Sequence, residues 1–296
     1  MALRILSLPT LGAASIAAFS ALTIVACGSP SVQPSATDKG DTKVIGAGDG
    51  GKNDEWPGKA PKCTDVDPAK MVTTPAVAVA AGAFKMGCVP EVDTECKDDE
   101  KPLHQVDVGA FEIDKTEVTL AQYFACVKEG KCTYPKCDWD PCTYPDIPIA
   151  CVKYAQAEAY CGFVGKRLPT EAEWEKAARG TDGRKYPWGN DPITCDLSNR
   201  EGCGGLPWVV GSHPQNASPY GALDMSGNVV EWCKDFYDPT FYGSSSTENP
   251  TGPSQGDSYV GRGGGFLSAD VWHRTSARDL YEPTYTRETM GIRCVK

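Results

Sequence analysis

The spacing of apolar and polar positions divides this chain into short pieces with different periods. Val77-Ala78-Val79 leading to Phe84-Lys85-Met86-Gly87 reads as a strand pair, and Val106-Asp107-Val108 with Phe111-Glu112-Ile113 alternates as strand residues do. Three stretches carry helical spacing instead: Leu120 to Lys128, Ala155 to Phe163 and Glu171 to Arg179. Beyond Gly180 the chain is dense in Gly, Pro, Asn and Trp and has few long periodic runs, which predicts short strands and ordered loops around a few helices. The expected class is α+β.

The last of these helices has the clearest ends. Thr170 precedes it and Glu173 stands three residues on, so the hydroxyl takes a first-turn N–H while the glutamate reaches back to the Thr170 N–H. Pro169 fixes the entry, Glu171 and Glu173 sit at the positive end of the helix dipole, and Gly180 supplies the stop. Thr119 and Gln122 form a second box before Leu120, and Gly130 closes that helix.

Composition adds the compartment. Ile5 to Ala26 is apolar behind a single charge at Arg4, so residues 1–26 read as an export signal. Ile24-Val25-Ala26-Cys27 resembles a bacterial lipobox, in which Cys27 becomes the lipidated amino terminus. An ordinary signal peptide or a single membrane anchor are the alternatives. Gly28 follows Cys27 where a retention aspartate would stand, which favours the outer membrane. Residues 27–62 are rich in Ser, Pro, Gly, Asp and Lys and read as a flexible tether spanning roughly 30 Å. The folded part is then 63–296.

The net charge of -10 becomes one unit more negative when Arg4 leaves with the signal, and no basic run occurs. Both argue against nucleic acid or anionic lipid as a partner. Fourteen cysteines in an exported chain imply disulfides rather than zinc. Setting Cys27 aside leaves an odd number, so at least one is unpaired. Closeness in sequence favours Cys88 with Cys96, Cys126 with Cys132, Cys137 with Cys142, and Cys195 with Cys203, leaving Cys63, Cys151 and Cys233. No G-x-S-x-G or phosphate-binding glycine loop stands in a convincing context.

Five blocks then occur in order: F-K-M-G from Phe84, R-L-P-T-E-A-E-W-E from Arg167, Y-P-W-G-N from Tyr186, Y-G-A-L-D-M-S-G-N-V-V-E-W from Tyr220, and R-G-G-G-F from Arg262 with its closing G-I-R-C at Gly291 to Cys294. Together they resemble the sulfatase-modifying-factor family, the formylglycine-generating-enzyme domain, from about Phe84 to Lys296. The resemblance implies an irregular, disulfide-braced fold related to C-type lectins, and a disulfide between Cys161 and Cys294. It also implies a calcium ion held by the Asp224 side chain, the Gly227 and Val229 carbonyls and the Glu231 carboxylate, a hard-oxygen set that suits calcium. Alternatively Asp224 caps a turn, Gly227-Asn228 is a tight turn and Glu231 makes a surface ion pair. A second family calcium site would begin at Asn199 and the Arg200 carbonyl, but its distant aspartate has no counterpart here.

True formylglycine-generating enzymes carry an oxygen-pocket serine and a copper-binding cysteine pair in the segment resembling Gly265 to Arg278. Here Gly265 takes the serine position, Ser268 the first cysteine position, and no cysteine occurs between Cys233 and Cys294. Copper(I) selects soft sulfur, so copper is not expected and no catalytic residue is assigned. The family's other disulfide is replaced by Ala178 and Thr275. The family also includes iron-dependent sulfoxide synthases with three histidine ligands and a periplasmic pyoverdine-maturation oxidase. This chain has only His104, His213 and His273, scattered among different motifs, each read as a surface or hydrogen-bonding residue. Ser268, Trp272, His273, Arg274 and Arg278 suggest a polar, aromatic cleft. Equally, Arg278 and Arg293 fit as internal ion-pair partners for the acids of the central helix. The expectation is a lipid-anchored module of the cell envelope that binds a peptide, protein or small ligand. A periplasmic oxidoreductase of the same family is the alternative, with residual formylglycine generation behind both.

Overall fold

The computed structural model of the protein describes residues 66–296. The signal at 1–26, Cys27, the tether at 27–62 and Cys63 lie outside the described residues. α1 at Leu120–Lys128 and α3 at Glu171–Arg179 fall where the capping residues put them, and α2 at Tyr154–Phe163 starts one residue before the helical spacing placed it. Thr119 with Gln122 and Thr170 with Glu173 form complete capping boxes. Gly180 ends α3 at φ +71°, and a Cβ there would meet the Pro219 ring at 2.8 Å, so both the backbone conformation and the space require glycine.

The strands are short, as expected, but pair differently. β1 (Ala76–Val79) is antiparallel to β4 (Phe111–Asp114), and β2 (Gly82–Met86) is antiparallel to β3 (His104–Val108). β1 and β2 therefore do not form the expected pair. Only Ala80-Ala81 separates them, and a two-residue hairpin needs positive φ that glycine or asparagine supplies. A four-stranded sheet in the order β7-β6-β5-β8 is built from β5 (Val230–Phe236), β6 (Tyr259–Arg262), β7 (Arg278–Tyr281) and β8 (Met290–Gly291), with β8 parallel to β5.

Two apolar clusters fill the interior. One gathers α1 and α2 against β5 and β8, through Tyr123, Tyr160, Leu168, Trp232, Met290 and Ile292. The other packs Phe84, Val106, Ile113 and Val260 against Trp174, Ala177 and Ala178 of α3. Every residue of α3 is buried, its charged ones included.

Disulfides join Cys88 to Cys96, Cys126 to Cys132, Cys195 to Cys203, and Cys161 to Cys294. Cys137 bonds Cys151, not Cys142. The Lys136 N–H donates to the Cys151 carbonyl at 3.1 Å, bringing Cys137 alongside Cys151, whereas Cys142 is taken up by the turn on Asp140 and is disulfide-bonded itself. Among the described residues Cys233 is the free cysteine, and it is buried.

Cys161–Cys294 spans 133 residues and closes α2 onto the last segment, where Arg167 and Val295 exchange backbone hydrogen bonds of 2.8 and 2.9 Å. Replacing both cysteines by alanine should lower unfolding free energy by about 5 kcal/mol, the chain-entropy scale of a cross-link closing so long a loop, read as a drop in the denaturant midpoint.

Candidate functional site: the cleft beside Ser268

The site starts from the charges of α3. Glu171 accepts from Arg278 Nε and Nη2, both at 2.8 Å, and its Oε1 lies 3.6 Å from Arg262 Nη1. Glu175 accepts from Arg262 Nη2, from Arg179 Nη1 at 2.9 Å and from the Gly87 N–H at 2.8 Å. Lys176 Nζ donates to the Gly82 carbonyl at 2.6 Å, and Arg179 reaches the Gly87 carbonyl at 2.5 Å and Thr275 Oγ1 at 3.2 Å. Buried charges persist only when compensated in this way. The contacts fix β6 and β7, which carry Arg262 and Arg278, against the helix. Thr275 also ties this region, accepting from Arg179 Nε and donating to the Arg184 carbonyl.

Arg293 does not join this set. Its guanidinium pairs with Glu231 at 2.7 to 2.9 Å and donates to the Leu223 carbonyl at 2.8 Å. Glu231 points inward from β5, and its Oε2 also accepts from the Trp174 indole N–H at 2.6 Å. Its ion pair is therefore interior, not on the surface. The expectation for Arg278 holds, and that for Arg293 is corrected: its partner is Glu231 of β5, not an acid of α3.

The turn from Asp224 to Glu231 is shaped by positive φ at Asp224, Gly227 and Asn228. A Cβ on Gly227 would stand 2.4 Å from the Asn199 carbonyl oxygen. Asp224 accepts from the Gly211 N–H at 2.6 Å and Asn216 Nδ2 at 3.1 Å. Glu117, which feels the charges of Asp224 and Glu231, is fully buried, with no hydrogen-bond partner on either carboxylate oxygen. Burial first, and then the charge of Asp224, pushes its carboxyl well above the ordinary range. Asn199 Oδ1 is a second buried acceptor without a partner, although its Nδ2 donates to the Leu206 carbonyl at 2.9 Å and to Asn228 Oδ1 at 3.2 Å. Nothing in the sequence singled out Glu117, because a lone glutamate before a capping box carries no sign of burial.

The cleft opens where β6 runs into Gly263-Gly264. It is lined by Ser268, Trp272, Arg278, Asp279 and Tyr281 among others. Ser268 is held by its own turn: its Oγ accepts from the Gly265 N–H at 3.0 Å and its N–H donates to the Gly265 carbonyl at 2.8 Å. Trp272 closes a single 3-10 turn, Asp270–Trp272. His273 and Arg274, expected in the cleft, point into the protein and are fully buried. Arg274 pairs with Glu100 at 2.5 Å and Asp93 at 2.7 Å, which explains why the chain around Cys88 and Cys96 packs under this loop. His104 and His213 lie elsewhere, the first 2.9 Å from the Pro102 carbonyl and the second stacked on Trp208. Among the described residues the sole metal-like cluster, Cys88, Asp93 and Cys96, has its sulfurs tied in a disulfide and offers no thiolate.

With that geometry in place, a family model described as the sulfatase-modifying factor enzyme 1-like domain matches residues 62–296. The chain belongs to this family. It is 34% identical to the formylglycine-generating enzyme of Streptomyces coelicolor, covering 67% of this chain and 81% of that enzyme. It is 30% identical to hercynine oxygenase of Mycolicibacterium smegmatis over 73% of this chain and 60% of that protein. Among solved structures it is similar to PvdO from Pseudomonas aeruginosa, with TM-score 0.66 and 24% identity over 80% of this chain and 99% of that one, and to Treponema denticola variable protein 1, with TM-score 0.60 and 22% identity over 74% and 94%. The structural likenesses establish the shared fold, one of few helices, short strands and several disulfides. Relatives so differently named leave the chemistry to the residues of the site.

His273 gives the region a pH dependence. Its Nε2 faces the Ser268 carbonyl at 3.2 Å, which can only accept, so Nε2 carries the proton and Nδ1 accepts from the Ser198 hydroxyl at 2.9 Å. Burial lowers its pKa to about 4. The unfolded state, with an ordinary histidine, takes up the proton first as pH falls, so stability is complete above about 6.5 and declines toward pH 4 by about 3 kcal/mol. Unfolding midpoints measured across that window should fall for the wild type and fall less for His273→Gln.

Proposed function

We propose that this protein is a calcium-braced binding module of the cell envelope, tethered through lipidated Cys27 to the outer membrane, that holds a ligand in the cleft beside Ser268 without oxidising a cysteine. The observation that carries this reading is the chemistry at the cleft. A hydroxyl at Ser268 and a hydrogen at Gly265 stand where the family's copper enzymes have a thiolate and a serine, and no cysteine lies between Cys233 and Cys294. An alcohol is neither soft nor ionised at neutral pH, so it does not replace sulfur toward copper(I). Cys233 does not make up for the loss: burial drives its thiol well above the ordinary range, and it sits in the core cluster with Trp174 and Val260.

Calcium is supported by the two orphaned acceptors. Glu117 feels the charges of Asp224 and Glu231, and Arg293 is the cation among its charged neighbours. A divalent cation there would satisfy Glu117 and offset the excess negative charge with hard oxygen ligands. Asn199 Oδ1 is the corresponding unsatisfied oxygen at the position where the family's other calcium site begins. Calcium would supply charge neutralisation and would cross-link the turn after Asp224 to the segment before α1. It takes no part in chemistry on the ligand.

The second reading, an oxidoreductase, is favoured by the identity to formylglycine-generating enzyme and hercynine oxygenase. Metal analysis separates the two. Purified protein should contain calcium and no stoichiometric copper or iron, and a C-x-P-x-R peptide incubated with it and oxygen should yield no aldehyde. Stoichiometric copper or iron, or an aldehyde product, would establish the enzyme instead. Removing calcium with a chelator should lower the melting temperature of the wild type, and Glu117→Gln should shrink that shift severalfold. An equal shift in both proteins would place any calcium elsewhere.

A further inference from the structure

The segment from Cys88 to Glu100 is joined to the cleft wall twice. Lys97, the neighbour of Cys96, sets its ammonium 2.8 Å from the centre of the Trp272 ring, and Trp272 lines the cleft. Arg274, two residues beyond Trp272, donates to Asp93 at 2.7 Å and to Glu100 at 2.5 Å. The Cys88–Cys96 disulfide crosses this segment. Its Cys88 end is fixed independently of the bridge, because the Cys88 N–H donates to the Glu100 carbonyl at 3.0 Å and the Gly87 N–H to Glu175 at 2.8 Å.

The two sulfurs stand in different surroundings. Cys88 is 1% exposed, and Arg274 Nη1 lies 3.9 Å from its Sγ, whereas Cys96 is half-buried. A thiolate arriving from solvent therefore attacks Cys96 Sγ. The S–S bond breaks, and its electron pair leaves on Cys88, where the guanidinium stabilises the charge. Asp93 Oδ2, 3.4 Å from the same sulfur, would oppose that charge, but Arg274 holds it at 2.7 Å and Lys185 Nζ stands 3.4 Å from Oδ1. A second thiol then resolves the mixed disulfide on Cys96, so that two thiols are oxidised to one disulfide and two cysteines are reduced. The bridges Cys126–Cys132 and Cys161–Cys294 are buried at both ends, whereas Cys195–Cys203 reaches solvent and isolates the effect of access alone. A sequence separation of 8, against 133 for Cys161–Cys294, constrains the unfolded chain less, so opening Cys88–Cys96 leaves the fold in place.

We propose that Cys88–Cys96 is a redox latch on the cleft. Closed, it holds Lys97 against Trp272; opened by a low-molecular-weight thiol or a protein dithiol, it releases that wall. As regulation of ligand access the latch rests on the reading of the domain as a binding module, although neither its opening nor the response of Trp272 depends on a ligand.

The purified full chain is equilibrated in glutathione buffers of increasing reduced-to-oxidised ratio, alkylated, and mapped by peptide mass spectrometry. Cys88–Cys96 should open at a ratio severalfold lower than Cys195–Cys203 does, and before either buried bridge. Acrylamide quenching of Trp272, taken as the difference between wild type and Trp272→Phe, should rise severalfold as the latch opens, with far-ultraviolet circular dichroism unchanged. The double variant Cys88→Ser, Cys96→Ser should show the raised quenching without any thiol. Opening together with Cys126–Cys132, opening no earlier than Cys195–Cys203, or Trp272 quenching that is the same in the closed, opened and double-variant proteins would overturn the proposal. Stoichiometric copper or iron in the purified protein would overturn the binding-module reading instead and leave the latch standing.

Discussion

The structure depends on the complete burial of a charged helix. α3 contributes three glutamates, a lysine and an arginine to the interior, and each of the five is satisfied by a named partner. Leaving one such charge unpaired costs roughly 3 to 5 kcal/mol, a large fraction of the stability of a domain. The helix therefore settles only where the Arg167, Arg262 and Arg278 side chains and the Gly82 and Gly87 backbone groups converge. That set of contacts joins the two-stranded ladders of the first half to the four-stranded sheet of the second.

The cleft follows from the same contacts. Arg262 and Arg278 face each other across β6 and β7 in register, and both are drawn toward α3. The glycines after Arg262 then turn the chain outward over Met225 and Trp174, and the loop bearing Ser268 and Trp272 is pinned beneath by His273 and Arg274. Arg278, which lines the cleft, is thus already neutralised inside the protein.

Within the family this arrangement separates scaffold from chemistry. The buried ion pairs of α3 and the disulfides build the scaffold, and Ser268 and Trp272 of the cleft are not among the residues that satisfy the helix.

The sequence by itself determined the three helices, because capping boxes and glycine stops are local: Thr119, Thr170 and Gly180 act on their own turns. Three of the four near-neighbour disulfides were legible as well and, through shared motifs, Cys161 with Cys294. Strand pairing and Cys137 with Cys151 were decided only by tertiary structure, since either pairing of β1 or of Cys137 is compatible with the local pattern and the choice depends on which segments the packed core brings together. The same holds for the site. Ser268 and Trp272 were legible as cleft residues from their motif, but His273 and Arg274 turn inward because Ser198, Glu100 and Asp93, distant in the chain, receive them. Glu117 acquires its significance from burial and from the absence of partners, quantities that exist only once the chain is folded.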